Sequence, residues 1–394
     1  MMPGNIVPEC PYFGKCGGCS SQHISYVQQL KQKQEIVANR VGMNADVIEI
    51  FSDEPYHYRN RMDFIFHDSG IGLREKGNWK SVVDIKKCVI SNDKLNSLLQ
   101  ELRENFNSID AFDVRRKNGT YRYAVIRTPG NGNSAAGIGS SNDPSSSSIS
   151  DSSSISFVLN EDSSKTGDAI AKIKEYAKIS SADNIIVSYV PAHTDISISE
   201  EYFVVRGSDI LKENLLDKEF SFNVQGFFQN NSAMAEKMHE YVNKICESQP
   251  KGLSLLDLYA GVGTFGINNA AYFDKTFIVE ADKHCVEAAK INVESNHIVN
   301  AEIIELDAMQ LKKLELPKNI FVITDPPRSG MHPKTIEQLK RLKPRAMIYI
   351  SCNVDQLGKD LGKFPEYTLK KAAMFDLFPQ TPHIEAIVFL ELKS

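Results

Sequence analysis

No apolar run in this 394-residue chain is long enough to cross a bilayer, and mean hydropathy is −0.29, so no spanning helix is expected. The opening residues, MMPGNIVPECPYFGKCGGC, lack the apolar core of a secretory signal. The expected compartment is the cytoplasm, with no membrane partner. An excess of positive charge is also missing. The formal net charge is −5 and the pI about 6.0, whereas a wholly nonspecific nucleic-acid binder is usually basic. The seven cysteines are an odd number, which argues against a closed disulfide framework in a cytosolic chain.

What is present is unevenly spread. Cys10, Cys16, Cys19 and Cys88 fall in the first quarter, while Cys246, Cys285 and Cys352 are scattered. The spacing C-x5-C-x2-C with a distant fourth cysteine suits an iron–sulfur cluster and, equally, structural zinc. Basic residues gather between Arg59 and Lys87 (Arg59, Arg61, Arg74, Lys76, Lys80, Lys86, Lys87) and again at Arg115, Arg116, Lys117, Arg122 and Arg127. Such segments are either a solvated face or a contact surface for nucleic acid.

Periodicity divides the chain into three parts. Residues 1–90 hold the cysteines, a helical stretch from Tyr26 to Ala38, and the alternating strands RNRMDFIFH and SVVDIKK, with glycine turns in GIGLREKGNW between them. Residues 91–220 read as an α+β domain whose first helix starts at Asn92 or Asp93. It is interrupted near 130–154 by a Ser/Gly-rich insertion with too little apolar surface to offset its ordering entropy. Residues 221–394 alternate strand and helix (LSLLDLYAG, KTFIVEAD, NAEIIELDA, NIFVITDPP, AMIYISC) and close with two further strands. That alternation means an α/β fold with a doubly wound parallel sheet. A closing antiparallel hairpin is the layout common among Rossmann-like S-adenosylmethionine methyltransferases.

Chemical signals sit where such a sheet binds ligands, at the carboxyl ends of its strands. LDLYAGVGTFGI runs from a strand through Asp257 into Gly261 and Gly263, a turn that lets backbone approach a ligand. That turn alone leaves nicotinamide binding open. Glu280 ends the next strand, about 20 residues on, where an acid can accept ribose hydroxyls. Asp307 follows the third strand, placed to meet an adenine amino group, and Asp325 opens DPPRSG after the fourth. The DPP argues against nicotinamide. Cys352, in AMIYISCNV, follows an apolar strand and precedes polar residues, so its thiol is expected in the cleft. Glu385, in HIEAIVFLE, is a carboxylate at the start of an apolar strand, where partial burial would raise its pKa.

In this order, CPYFGKCGGCSSQHISYVQQLKQK, GFFQNN, LDLYAGVGTFGI, DPPRSG, ISCN and HIEAIVFLE resemble the motifs of the RNA uracil-5-methyltransferases, over nearly the whole chain. The resemblance implies S-adenosylmethionine contacts from Gln229, Tyr259, Thr264, Glu280, Asp307 and Asp325. It implies Cys352 as nucleophile, Glu385 as proton acceptor, and Arg328 as support for the target base. It also implies a [4Fe–4S] cluster on Cys10, Cys16, Cys19 and Cys88, making residues 1–90 an iron–sulfur region. The partner would be RNA, either 23S rRNA or the T-loop of tRNA, with a monomer as the default. The chain departs from many relatives in starting at the cysteines, without a small β-barrel domain, and in carrying the Ser-rich insertion. An exocyclic-amine methyltransferase is the rival within enzymes, though those usually carry an aromatic residue where this chain has Arg328. Outside enzymes the rival is an iron–sulfur or zinc RNA-binding protein with a vestigial fold.

Overall fold

The computed structural model describes residues 6–68, 70–130 and 152–393. Most of the Ser/Gly-rich insertion therefore lies outside the described residues. The chain begins with helix α1 (Tyr26–Val41), whose N-cap Ser25 accepts the Gln28 backbone N–H, and a three-residue strand β1 (Glu49–Phe51). The central lobe follows: β2 (Arg61–His67), β3 (Gly70–Glu75), β4 (Asn78–Asp84), α2 (Asp93–Asn105), β5 (Tyr121–Arg127), β6 (Ser154–Asn160), α3 (Thr166–Ala177), β7 (Asn184–Val190) and β8 (Tyr202–Arg206). These seven strands form one sheet in the order β4-β3-β2-β5-β6-β7-β8. Helices α2 and α3 cover one face through Leu95, Leu98, Leu99, Leu102 and Ile173, packed around Phe66, Phe106 and Phe157. The sequence places the start of α2 correctly, since Asn92 is its N-cap and accepts from Leu95 N at 2.9 Å.

A small hairpin, β9 (Ile210–Leu215) with β10 (Lys218–Asn223), leads into the C-terminal lobe. That lobe runs α4 (Ser232–Glu247), β11 (Ser254–Leu258), α5 (Thr264–Asn269), β12 (Lys275–Glu280), α6 (Lys283–Ser295), β13 (Ala301–Glu305), β14 (Ile320–Thr324), α7 (Pro333–Leu342), β15 (Ala346–Ser351), α8 (Val354–Leu361), β16 (Tyr367–Phe375) and β17 (Glu385–Leu392). Its eight-stranded sheet has the order β1-β16-β17-β15-β14-β11-β12-β13. Strands β15, β14, β11, β12 and β13 are parallel neighbours, and β17 inserts antiparallel between β15 and β16. This is a doubly wound sheet with a closing hairpin.

Two features differ from the sequence reading. GIGLRE forms strand β3 rather than a turn. The segment from α1 to β1 leaves the cysteine-rich stretch and builds onto the eight-stranded sheet: β1 pairs parallel with β16, and Val37, Ala38 and Ile48 share a core with Leu256, Val322 and Met347. Gly358 in α8 permits this approach, because a Cβ there would meet the Arg40 carbonyl at 2.6 Å. Among the described residues, no helix is long and apolar enough to cross a membrane.

Candidate active site

Strand β11 delivers the first element of the site. Beyond Leu258 the backbone turns left-handed at Tyr259 (φ 59°), Gly261 (φ 55°) and Gly263 (φ 88°), then enters α5 at once. Asp257 is buried beneath this turn, and its Oδ2 accepts the Gly266 backbone N–H at 2.7 Å. A Cβ on Gly266 would lie 2.9 Å from that oxygen and 2.7 Å from the Ile278 side chain, so glycine is required for the close approach. Gly261, Gly263 and Gly266 have the G-x-G-x-x-G spacing of dinucleotide-binding loops, so the glycines alone do not choose between cofactor classes. Glu280, at the end of β12, accepts the Gly261 N–H at 2.8 Å and the Asp282 N–H at 2.8 Å. It holds the turn against the neighbouring strand.

A cavity of about 690 Å³ opens over this edge of the sheet. Gln229, Tyr259, Thr264, Glu280 and Asp325 line it together with Arg328, Cys352 and Glu385. Asp307 is not on its wall; it caps a short turn of helix at Ala308–Lys313, accepting the Met309 N–H at 2.8 Å.

The sheet register sets the expected nucleophile and proton acceptor opposite each other. Ser351 on β15 is opposite Ala386 on β17, so one step outward brings Cys352 opposite Glu385. Glu385 is only 5% exposed. Burial lifts its carboxyl well above the usual range, Asp325 adds to this, and Arg328 opposes it. Burial, then Glu385 and Asp325, push the Cys352 thiol up to about 11, again against Arg328. Burial also raises Asp325 to about 7 and Asp257 to about 8. The site thus gathers groups that become anionic only at a cost, which is a setting for a cationic ligand.

Arg328 is held on two sides. Its main-chain oxygen accepts from Asn353 Nδ2 at 2.9 Å, and its guanidinium lies 2.9 Å from His383 Nδ1. A guanidinium can only donate, so Nδ1 is the acceptor and the imidazole is neutral with its proton on Nε2. Burial and the nearby cations Arg328, Lys33 and Arg59 lower the His383 pKa in the same sense. The sequence reading did not single out Arg59, Phe227, Phe378 or His383 as cavity residues, yet all four line the cavity. Phe227 carried a usable signal: it sits two residues before Gln229 in GFFQNN, and it is 68% exposed. The other three come from separate segments that only folding brings together.

A second cavity, of about 450 Å³, is lined by Cys10, Cys16, Cys19 and Cys88, with Arg59, Arg61 and Lys87 on its rim. Burial raises the Cys10 and Cys16 thiols and pushes Cys19 up to about 12, and all three also feel Cys88. Among the described residues, no three His, Cys, Asp or Glu side chains converge closely enough to hold a metal ion.

With this geometry in view, comparison with known proteins is decisive. The sequence profile described as tRNA (Uracil-5-)-methyltransferase matches residues 192–393. The chain belongs to this family. A tRNA (uracil(54)-C(5))-methyltransferase of Pyrococcus horikoshii is 31% identical over 98% of this chain and 86% of its own length. The enzyme of the same description from Pyrococcus abyssi is 28% identical, over 98% and 87%. The crystal structure of the Pyrococcus abyssi tRNA (uracil-54, C5)-methyltransferase in complex with S-adenosyl-L-homocysteine superposes with a TM-score of 0.73 at 27% identity, covering 98% of this chain and 88% of that one. The expected family, and with it an S-adenosylmethionine-dependent methyltransferase fold, is therefore met. Membership in the tRNA (uracil-5-)-methyltransferase family removes nicotinamide binding from consideration.

Proposed function

We propose that this chain methylates C5 of a uridine in tRNA, the one at position 54, through a covalent bond between Cys352 and C6 of the base. The observation that carries the reading is the pairing of Cys352 with a buried Glu385 in the cavity that also holds Gln229, Tyr259 and Asp325. The choice of tRNA over 23S rRNA rests on the two Pyrococcus relatives, both described as acting on uracil 54 of tRNA.

Each residue then has a task. S-adenosylmethionine, when bound, supplies an electrophilic methyl group on a sulfonium. Gln229, Tyr259, Thr264, Glu280 and Asp325 hold it in the cavity, and Asp307, beyond β13 on the same sheet edge, is assigned its adenine end. The uridine must leave its stack to enter, with Arg328 and His383 beside the nucleophile to receive it. C5 of uracil is a poor carbon nucleophile. Addition of the Cys352 thiolate to C6 moves the double-bond electrons onto C5 and the O4 enolate, and C5 then attacks the methyl group, releasing S-adenosylhomocysteine. The Glu385 carboxylate removes the C5 proton. The electron pair left behind restores the C5–C6 double bond and expels the Cys352 thiolate. A positively charged donor bound beside Asp325, Glu385 and Cys352 lowers the proton affinity of all three, so both thiolate and carboxylate become available where they are used.

The four N-terminal cysteines are assigned a [4Fe–4S] cluster with a structural role, because methyl transfer moves no electrons. The assignment follows the family resemblance of the cysteine-rich segment, and what supports it is that all four cysteines line one cavity. Iron and sulfide in stoichiometric amount in protein purified without oxygen supports this assignment, and zinc in their place overturns it. The activity is tested by supplying labelled S-adenosylmethionine with unmodified tRNA or 23S rRNA, then identifying and mapping the labelled nucleoside. Label in 5-methyluridine at tRNA position 54 supports the proposal. Label confined to rRNA, or found in an amine-methylated base, overturns it.

A further inference from the structure

The chain has a single tryptophan, and it is not in a core. Trp79 stands on β4, at the β3–β4 hairpin, with 54% of its surface exposed. Lys80 Nζ lies 5.4 Å from its ring centre and the Arg74 guanidinium 5.8 Å. Neither the methyl-transfer cavity nor the cysteine cavity includes it.

The hairpin is a firm mount for that ring. Gly17 N donates to Arg74 O at 2.9 Å, Lys76 N donates to Lys15 O at 2.7 Å, and Cys16 forms a bridge with Glu75. At the turn, Asn78 Nδ2 donates to Ser81 Oγ at 2.7 Å and to Glu75 Oε2 at 3.2 Å. Beside it runs a cleft of about 230 Å³, walled by Arg74 and Lys80 on one side and by Arg115 of the 113–117 loop on the other. Asp195 neutralises Arg74 at 2.8 Å, and Asp113 sits 3.7 Å from Arg116. That leaves Lys76, Lys80, Arg115 and Lys117, none of which makes an ion pair among the described residues. In a chain of net charge −5, Lys80 therefore stands over the one indole without an ion-pair partner, Lys76 shares its hairpin turn, and Arg115 lines the neighbouring cleft together with Asp68, Asp113 and Asp195.

We infer that this face is a second RNA contact, at which an unpaired nucleotide of the substrate stacks on Trp79 while Lys76, Lys80 and Arg115 meet its flanking phosphates. An aromatic face bordered by flexible cations is what a single-stranded nucleotide needs: the ring takes the base without regard to sequence, and the lysines take the backbone. The inference rests on RNA being the substrate and adds to it a docking point outside the reaction cavity, one that holds the RNA while the target base is turned in.

The lone indole makes the test direct. Wild-type protein is titrated with unmodified tRNA transcript under selective tryptophan excitation, with binding followed in parallel by mobility shift and methylation by label. Stacking quenches the fluorescence along the same curve as the mobility shift. W79A is expected to bind about 10-fold more weakly, W79F to recover most of the loss, and K76A/K80A to reduce the salt dependence of binding by about one to two phosphate contacts. A fluorescence signal that does not change while tRNA binds and is methylated overturns this inference alone, as does W79A binding with wild-type affinity. Absence of both binding and methylation overturns the RNA substrate and this inference with it.

Discussion

Lys33 Nζ stands 2.6 Å from Asp376 Oδ1, in a pair with 6% and 0% of its side-chain surfaces exposed. Lys33 also donates to the Phe378 carbonyl at 3.2 Å, and Gln29, one turn earlier on α1, exchanges hydrogen bonds with Gln380 at 3.0 and 3.2 Å. The backbone N–H of Ser20, next to Cys19, reaches the Gln380 carbonyl at 2.9 Å. The N-terminal segment thereby grips the loop at 376–384, which carries Phe378 and His383 and runs straight into Glu385. Removing one ion leaves the other charge buried without a partner. Lys33→Met should cost about 3–5 kcal/mol in denaturant unfolding, and the double change K33M/D376L should restore part of that. A single substitution costing under about 1 kcal/mol, the ceiling for an exposed pair, would show that this pair holds the fold no more firmly than a surface one.

Under the proposed mechanism, Cys352 and Glu385 are separable by what their variants leave behind. Cys352→Ala removes the group that opens the reaction, so turnover should vanish while S-adenosylmethionine binding, read by calorimetry, persists. Glu385→Gln permits addition and methyl transfer but not proton removal, so a methylated RNA–protein adduct should accumulate on denaturing gels. If that variant turns over normally, another group takes the C5 proton.

Thiol reactivity reports the electrostatics of the empty cavity. Burial, followed by Glu385 and Asp325, holds Cys352 up at about 11, and Arg328 acts against them. Alkylation tracks the thiolate fraction, so peptide-resolved modification of Cys352 should be slow at neutral pH and rise steadily with alkalinity. Glu385→Gln should speed it several-fold and Arg328→Ala should slow it by a similar factor. Equal rates in all three proteins would mean that these charges do not reach the sulfur.

Asp257 gives a pH dependence of stability with a definite sign. Its folded-state pKa, about 8, lies above its ordinary value of 3.8, so the folded protein binds that proton more tightly than the unfolded chain. This contribution is fully present below about 4 and is lost as pH rises through about 8. Asp325 acts in the same direction up to about 7. Ligand-free protein should therefore lose stability across that interval, by an amount on the order of a few kcal/mol. Asp257→Asn keeps an acceptor for the Gly266 N–H and should flatten the slope; a slope identical to wild type would place the titration elsewhere.

Most of the eight-stranded sheet could be read from the sequence, because its parallel strands are short apolar runs with a polar residue at or near the end: Asp257, Glu280, Asp325, Cys352. Strand β3 could not. Gly70 and Gly72 read as turn residues, yet a Cβ on Gly72 would come within 1.8 Å of the Val83 carbonyl. Here glycine serves close contact between strands. The places of Arg59 and His383 in the cavity were hidden for another reason. Arg59 reads only as one of a run of basic residues and His383 only as the first residue of HIEAIVFLE, and each lines the cavity because folding brings its segment there. Asp307 shows the opposite limit, since a position on the right sheet edge did not by itself put its side chain on the cavity wall.

Strand β1 also sets an order of events during synthesis. Glu49, Ile50 and Phe51 pair with Ala373, Met374 and Phe375, and Phe51 stacks on Phe375 with ring centres 4.5 Å apart. The ribosome makes this edge strand long before its neighbour. Until β16 emerges, α1 and β1 have no sheet to join. When it does emerge, its outer edge would stay bare, open to pairing with another chain, without those three residues waiting to cover it. Two segments far apart in sequence therefore complete one sheet, and that sheet cannot be finished until β16 has been made.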